Sequence, residues 1–265
     1  MLRQFRSEAT RDNPQLKPLK RDASEGNLGW GERAAKQMAS SGADEWTYIA
    51  LLGGSDSMAF RLRVAQSHLR SDMLPSFWSE ALLVELTDAT LAGANAIHVP
   101  LHQPEGPEFA ARTNGVVTRP LTDFDDALRF PNIALIALPV AQSEILRRVE
   151  LFRQSRSTLD ALEHVVRWLA FAWGAARTPN PLHDNYGLPS ACMLETVCAA
   201  ANLDLTPGLE ARASCPEAIW VAARFWQDYY KQFLGRMPVG RYHTPHHYPI
   251  DEPGGDEPLR KSRRK

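Results

Sequence analysis

A serine, a histidine and a carboxylate are the parts of a nucleophilic hydrolase, and this chain offers one of each near the ends of its expected elements. Ser190 follows Pro189 at the start of an apolar run, with Cys192 two residues on. His98 lies within Ala96-Ile-His-Val, and Glu80 follows Trp78-Ser79. A hydroxyl or thiol at the first turn of a helix meets a dipole that favours an anion. A base within reach would make it a nucleophile, and such triads are defined by geometry rather than chain order. In the sharpest version His98 is the base, Glu80 orients it and Ser190 attacks. Cys192 is the alternative nucleophile, because a thiolate forms closer to neutral pH. Structural roles compete for the same residues. Ser190 suits an N-cap after Pro189. Cys192 suits a small buried hydrophobe. Glu80 suits a partly solvated strand end, and His98 a hydrogen-bonded strand position.

The elements that must hold these groups are read from periodicity. Residues 1–28 are polar and aperiodic and read as a flexible arm. A short helix is expected over 31–40 and a strand over 46–52, stopped by Gly53-Gly54. A helix or loop with LRVAQSHLR follows, ended by Pro75. Strands are expected over 77–86, 96–101 and 115–121, with Pro120 favouring an edge. Residues 123–128 read as a helical turn. Ile133-Ala-Leu-Ile-Ala-Leu-Pro-Val140 is apolar throughout, as in a buried central strand. Beyond Ala141 the pattern turns helical. A long helix is expected from Ser157, with Leu159, Leu162, Val165, Val166, Leu169 and Trp173 on one stripe. A helix opens at Ser190 after a Pro/Asn/Gly-rich loop, and another at Ser214-Cys-Pro-Glu217, which has capping-box spacing. Its aromatic residues, with Trp168 and Trp173 before it, are expected in the core, any surplus marking a partner surface. Residues 236–265 read as a disordered tail. The order predicts an α+β domain over 29–235, with helices packed on an antiparallel sheet.

Composition excludes several classes. Thirty basic against 31 acidic residues leave a net charge of -1, so no nucleic-acid partner is expected. No apolar run approaches the length of a membrane span, and the N-terminus lacks the apolar region of a secretory signal. Three clustered cysteines do not suggest a disulfide framework, which favours a reducing, cytoplasmic setting. No cofactor pattern is read. The His243/His246/His247 cluster lacks zinc-site spacing, so no metal is expected. The terminal RKSRRK reads as a solvated basic tail.

Several segments, in order, resemble the circularly permuted papain-like hydrolases of the NlpC-type superfamily, over residues 46–232. The family opens with a strand and a small-residue turn, matched by YIALLGG. A Trp-Ser-His strand follows, matched by Trp78-Ser79-Glu80. The next strand supplies an orienting polar residue, at the place of His98. A Gly-Val strand and Leu-x-x-Phe turn are matched by GVVTRPLTDF. The nucleophile helix ends in Ala-Gly-Ile-Asp-Leu-x-Pro-Gly, matched by Ala201-Asn-Leu-Asp-Leu-Thr-Pro-Gly208. The resemblance implies a permuted papain-like topology, with the family's cysteine at Ser190 and its histidine at Glu80. Both are substituted. A carboxylate is a weak base unless burial raises its pKa, and serine is far less acidic than cysteine. The resemblance therefore implies a degenerate scaffold that binds a peptide, an acyl ligand or a protein partner. The competing expectation is an active hydrolase or acyltransferase on amide, ester or thioester bonds.

Overall fold

Seven strands form one open sheet, and its two faces are covered by different helices. The computed structural model describes residues 12–39, 45–86, 90–102, 113–155, 161–174 and 177–247. The strands are β1 (Leu16–Pro18), β2 (Trp46–Gly53), β3 (Glu80–Glu85), β4 (Asn95–His98), β5 (Val117–Pro120), β6 (Asn132–Ala141) and β7 (Val239–His243). Their spatial order is β1-β7-β6-β2-β3-β4-β5. Every pairing is antiparallel except β1 with β7, which makes the sheet mixed. The helices are α1 (Asn27–Ala39), α2 (Ser57–Ala65), α3 (Gln142–Gln154), α4 (Ala161–Trp173), α5 (Pro189–Ala199), α6 (Pro216–Phe225) and α7 (Gln227–Leu234). The protein is thus α+β, as expected. None of these helices is long and apolar enough to cross a membrane.

Strand alternation divides the core in two. Ile49, Leu51, Ala81, Leu83, Ala134 and Ile136 face α3, α4, α5 and α6. Tyr48, Ala50, Leu52, Leu82, Val84 and Leu135 face α1, where Trp30, Ala34 and Met38 are fully buried. Successive residues of one strand thus enter different cores. This is why β2 and most of β6 are buried along their length and read as continuous apolar runs.

Parts of the expected arm and tail belong to the fold. β1 and the first two residues of α1 lie before residue 29, and β7 lies after 235. β7 pairs with β6 from Ile133↔His243 to Ala137↔Val239. Aperiodicity is a weak guide here, because a three-residue strand and a Gly-Arg-Tyr-His strand carry almost no hydrophobic period. Beyond β7 the chain is held by Arg63, which is fully buried. Its guanidinium donates to the carbonyls of Ser76 (2.6 Å), Gly54 (3.2 Å) and His246 (2.8 Å), and contacts His246 Nδ1 at 2.9 Å. The rest of the expected arm (1–11) and tail (248–265), RKSRRK included, lies outside the described residues.

Two helix expectations also change. Ser157 and Leu159 lie outside the described residues. α4 buries Ala161, His164, Val165, Trp168 and Ala172. Leu162, Val166 and Trp173 are exposed, so the buried stripe is offset from the one expected. α6 is capped at Cys215, not at Ser214, and no side chain caps it. The capping box fails because Glu217 is engaged elsewhere, with Ser76 Oγ donating to its Oε2 at 2.6 Å.

The sheet position of β7 generates a test. A chain ending at residue 235 removes the β6 partner strand and the His246 carbonyl from Arg63. The expected result is a loss of roughly 3–5 kcal/mol in chemical denaturation, the cost of stripping a partner from a buried charge. An unchanged midpoint would show that the segment contributes nothing to stability.

Candidate functional site

The expected nucleophile is positioned from two directions. Gly187 runs so close to the Ser214 carbonyl that an added Cβ would lie 2.1 Å from it. Gly187 N–H donates to Arg212 O, and Leu188 N–H to Ser214 O. Trp168 Nε1 donates to Gly187 O at 2.7 Å. These bonds fix the entry to α5, whose N-cap is Leu188 with Pro189 at the first turn. Ser190 is therefore inside the helix, and the expectation that it caps α5 is corrected. Pro189 has no N–H to lose there, which suits it to that position.

Ser190 is 2% exposed. Its hydroxyl donates to Val99 O at 3.1 Å and accepts from Val99 N at 3.2 Å. The side chain thereby bridges α5 to the chain just beyond β4 and satisfies both backbone groups of one residue. A hydroxyl whose proton is committed to a carbonyl has no base to receive it.

Glu80 and His98 lie on the other side of the sheet. Ile97 and Val99 belong to the core beneath α5. His98, between them, packs edge-on against Phe124 at 5.5 Å, in the core beneath α1. Glu80 has the same parity as Leu82 and Val84, and its Oε2 lies 3.8 Å from His98 Nδ1. Its Oε1 accepts from Ala81 N–H at 3.0 Å. His98 is 2% exposed, and neither ring nitrogen makes a hydrogen bond among the described residues. The expected hydrogen-bonded strand histidine is thus not seen. The structure brings Glu80 beside His98 but places Ser190 on the opposite face, with no hydrogen bond to either.

Cys192 is fully buried, and its Sγ donates to Arg212 O at 3.1 Å. Burial pushes its thiol well above the ordinary range, with Cys215 and Glu195 adding to the shift. Burial likewise raises Cys198, and lifts Cys215 to about 12. All three thiols are free and buried, and at Cys192 burial outweighs the positive charge of Arg212. Among the described residues no group of three or more His, Cys, Asp or Glu is placed to hold a metal. His246 of the histidine cluster is turned into Arg63.

Two carboxyls are buried, Glu195, which the sequence reading passed over, and Glu217, which it expected only in a capping box. Glu195 sits on α5 and reaches the Leu-Asp-Leu-Thr exit. Its carboxylate accepts from Leu205 N–H at 3.1 Å and from Thr206 Oγ1 at 2.6 Å. Burial raises it to about 7, opposed by the Thr206 hydrogen bond and assisted by the charge of Asp204. The only signal in the sequence was a glutamate inside an otherwise apolar helix. No family model, curated protein or solved structure matches this chain.

Glu195 yields a pH prediction. Its folded pKa is raised, so the folded state holds the proton more tightly than the unfolded chain. Its contribution to stability is present below about 4.5 and is lost as pH rises toward 7. Glu195→Gln removes this loss. Between pH 5 and pH 8 the variant should lose about 2–3 kcal/mol less stability than the parent. Glu217, also raised to about 7, keeps a slope of the same sign in both proteins. Denaturation at the two pH values checks it, and parallel losses would refute it.

Proposed function

We propose that this chain is a catalytically degenerate permuted papain-like protein of the NlpC type that acts by binding. The observation carrying this reading is the double hydrogen bond between the Ser190 hydroxyl and the Val99 main chain. It uses the residue at the nucleophile position as a structural bridge. The order of segments from YIALLGG to Leu-Thr-Pro-Gly supports the family, and the substitutions at Glu80 and Ser190 support the loss of chemistry. The bound group would be a peptide, an acyl chain or a protein partner, held in the former active-site groove. Three buried free thiols support a reducing, cytoplasmic setting.

One observation favours the competing hydrolase or acyltransferase. Glu80 Oε2 lies 3.8 Å from His98 Nδ1, a pairing that would have to tighten into a hydrogen bond to serve as base and orienter. Ser190 or Cys192 would have to reach it from the other face of the sheet.

Labelling separates the two readings. The native protein is treated with a fluorophosphonate and with iodoacetamide, and assayed on p-nitrophenyl acetate, a peptide amide and an acyl thioester. The expected result is no labelling at Ser190 or Cys192 and turnover unchanged by Ser190→Ala. That variant should still lose about 1 kcal/mol of stability, because the Val99 amide and carbonyl lose their partner. Ser190-dependent labelling or turnover would overturn the binding reading.

A further inference from the structure

Away from Ser190, the turn over 69–72 and the outer face of α6 enclose a groove of about 510 Å³. That volume lies within the range of small-molecule sites. Its walls are Leu69, Trp220, Val221, Phe225 and Trp226, with Trp226 41% exposed. The floor holds Glu217, whose side chain is 2% exposed. Glu217 Oε2 is satisfied by Ser76. Oε1 faces Arg70 Nη1 at 3.9 Å, too far for a hydrogen bond, and makes none among the described residues. This oxygen is not sealed from solvent, so a donor arriving through the groove can reach it.

Two arginines line the groove, but their forks are engaged. Arg70 Nε and Nη2 bind Asp72 at 2.9 and 2.6 Å. Arg224 Nε binds Asp12 at 2.7 Å. The arginines therefore meet three carboxylates, Asp12, Asp72 and Glu217, and one negative charge is in excess when Glu217 is ionised. Nη1 of each arginine lies outside these pairs, but the excess negative charge disfavours an anion. A cation would find an unfilled acceptor at Glu217 and the exposed indole of Trp226 on the same groove, Trp220 being buried with the Arg224 guanidinium over its ring.

We propose that this groove binds a protonated amine carried on an aromatic or apolar stem, the ammonium donating to Glu217 Oε1 and the stem packing against Trp226. The proposal does not depend on the papain-like reading, since it uses no residue of that site. Burial raises Glu217 to about 7, opposed by Ser76 and Arg70 and assisted by Asp72. The ionised form is the one that binds the cation. The other charged groups facing it are Arg70 and Asp72 from the turn and Arg224 from α6, the last held by Asp12. Binding should therefore tighten from pH 5.5 to pH 8.

The test titrates phenethylamine, and separately phenylacetate, into the full chain, following indole fluorescence and amide resonances. Saturable shifts with phenethylamine at residues 69–72 and 217–226, and none with phenylacetate, are expected. Glu217→Gln, which keeps the shape of the protonated side chain, should weaken amine binding at pH 8 by about tenfold or more. It should also abolish the pH dependence and leave the circular dichroism unchanged. Trp226→Ala, at an exposed position, should weaken binding about twofold to fivefold. Phenylacetate binding as tightly as the amine would overturn the proposal. So would equal affinity in Glu217→Gln, or no saturable response to phenethylamine.

Discussion

Side chains alternate across a strand, and that alternation at β3 and β4 governs the candidate site. Ile97 and Val99 enter the core beneath α5, while His98 between them enters the core beneath α1. A helix packed on one face can address the main chain of β4 and every second side chain, but not the residue between. Ser190 does this, binding Val99 through backbone groups. The pair Glu80–His98 is left on the far face. The same parity builds both cores, because Ala81 and Leu83 face one way and Leu82 and Val84 the other. A one-residue slip would exchange all of these positions at once, which is why the register is tightly held.

Around this sheet the polar groups that matter are buried and mostly structural. Arg63 gathers the Gly54 and Ser76 carbonyls and the chain after β7. Gln66 accepts from Glu217 N–H and donates to Trp78 O, tying α6 to the start of β3. Glu195 fastens α5 to the loop after it. Each ties a helix to a loop or strand outside it. Glu217 is the exception, because one of its oxygens is satisfied and the other opens on an aromatic groove. That contrast separates a structural carboxyl from one with capacity left for a ligand.

Much of the fold was legible in the chain. The apolar run at 133–140, the apolar strand after Trp78 and the Pro-led helices at 189 and 216 all form about where periodicity and punctuation put them. The failures are physical as well. β1 and β7 are short and mixed in composition, so their strand character comes from pairing rather than pattern. The Ser214–Glu217 spacing is right for a capping box, yet a buried serine at position 76 competes for the glutamate. The buried stripe of α4 runs through Ala161, His164 and Ala172, which hydrophobicity alone does not pick out.

The sequence by itself determined the α+β class, the near-neutral charge and the residue types available for chemistry, because these follow from period, punctuation and composition. Only the tertiary structure decided which of those residues meet. Glu80 and His98 come together because adjacent antiparallel strands place same-parity residues side by side. Ser190 is parted from them because its helix packs on the opposite face, a matter of which side of the sheet is covered. No count along the chain contains that choice.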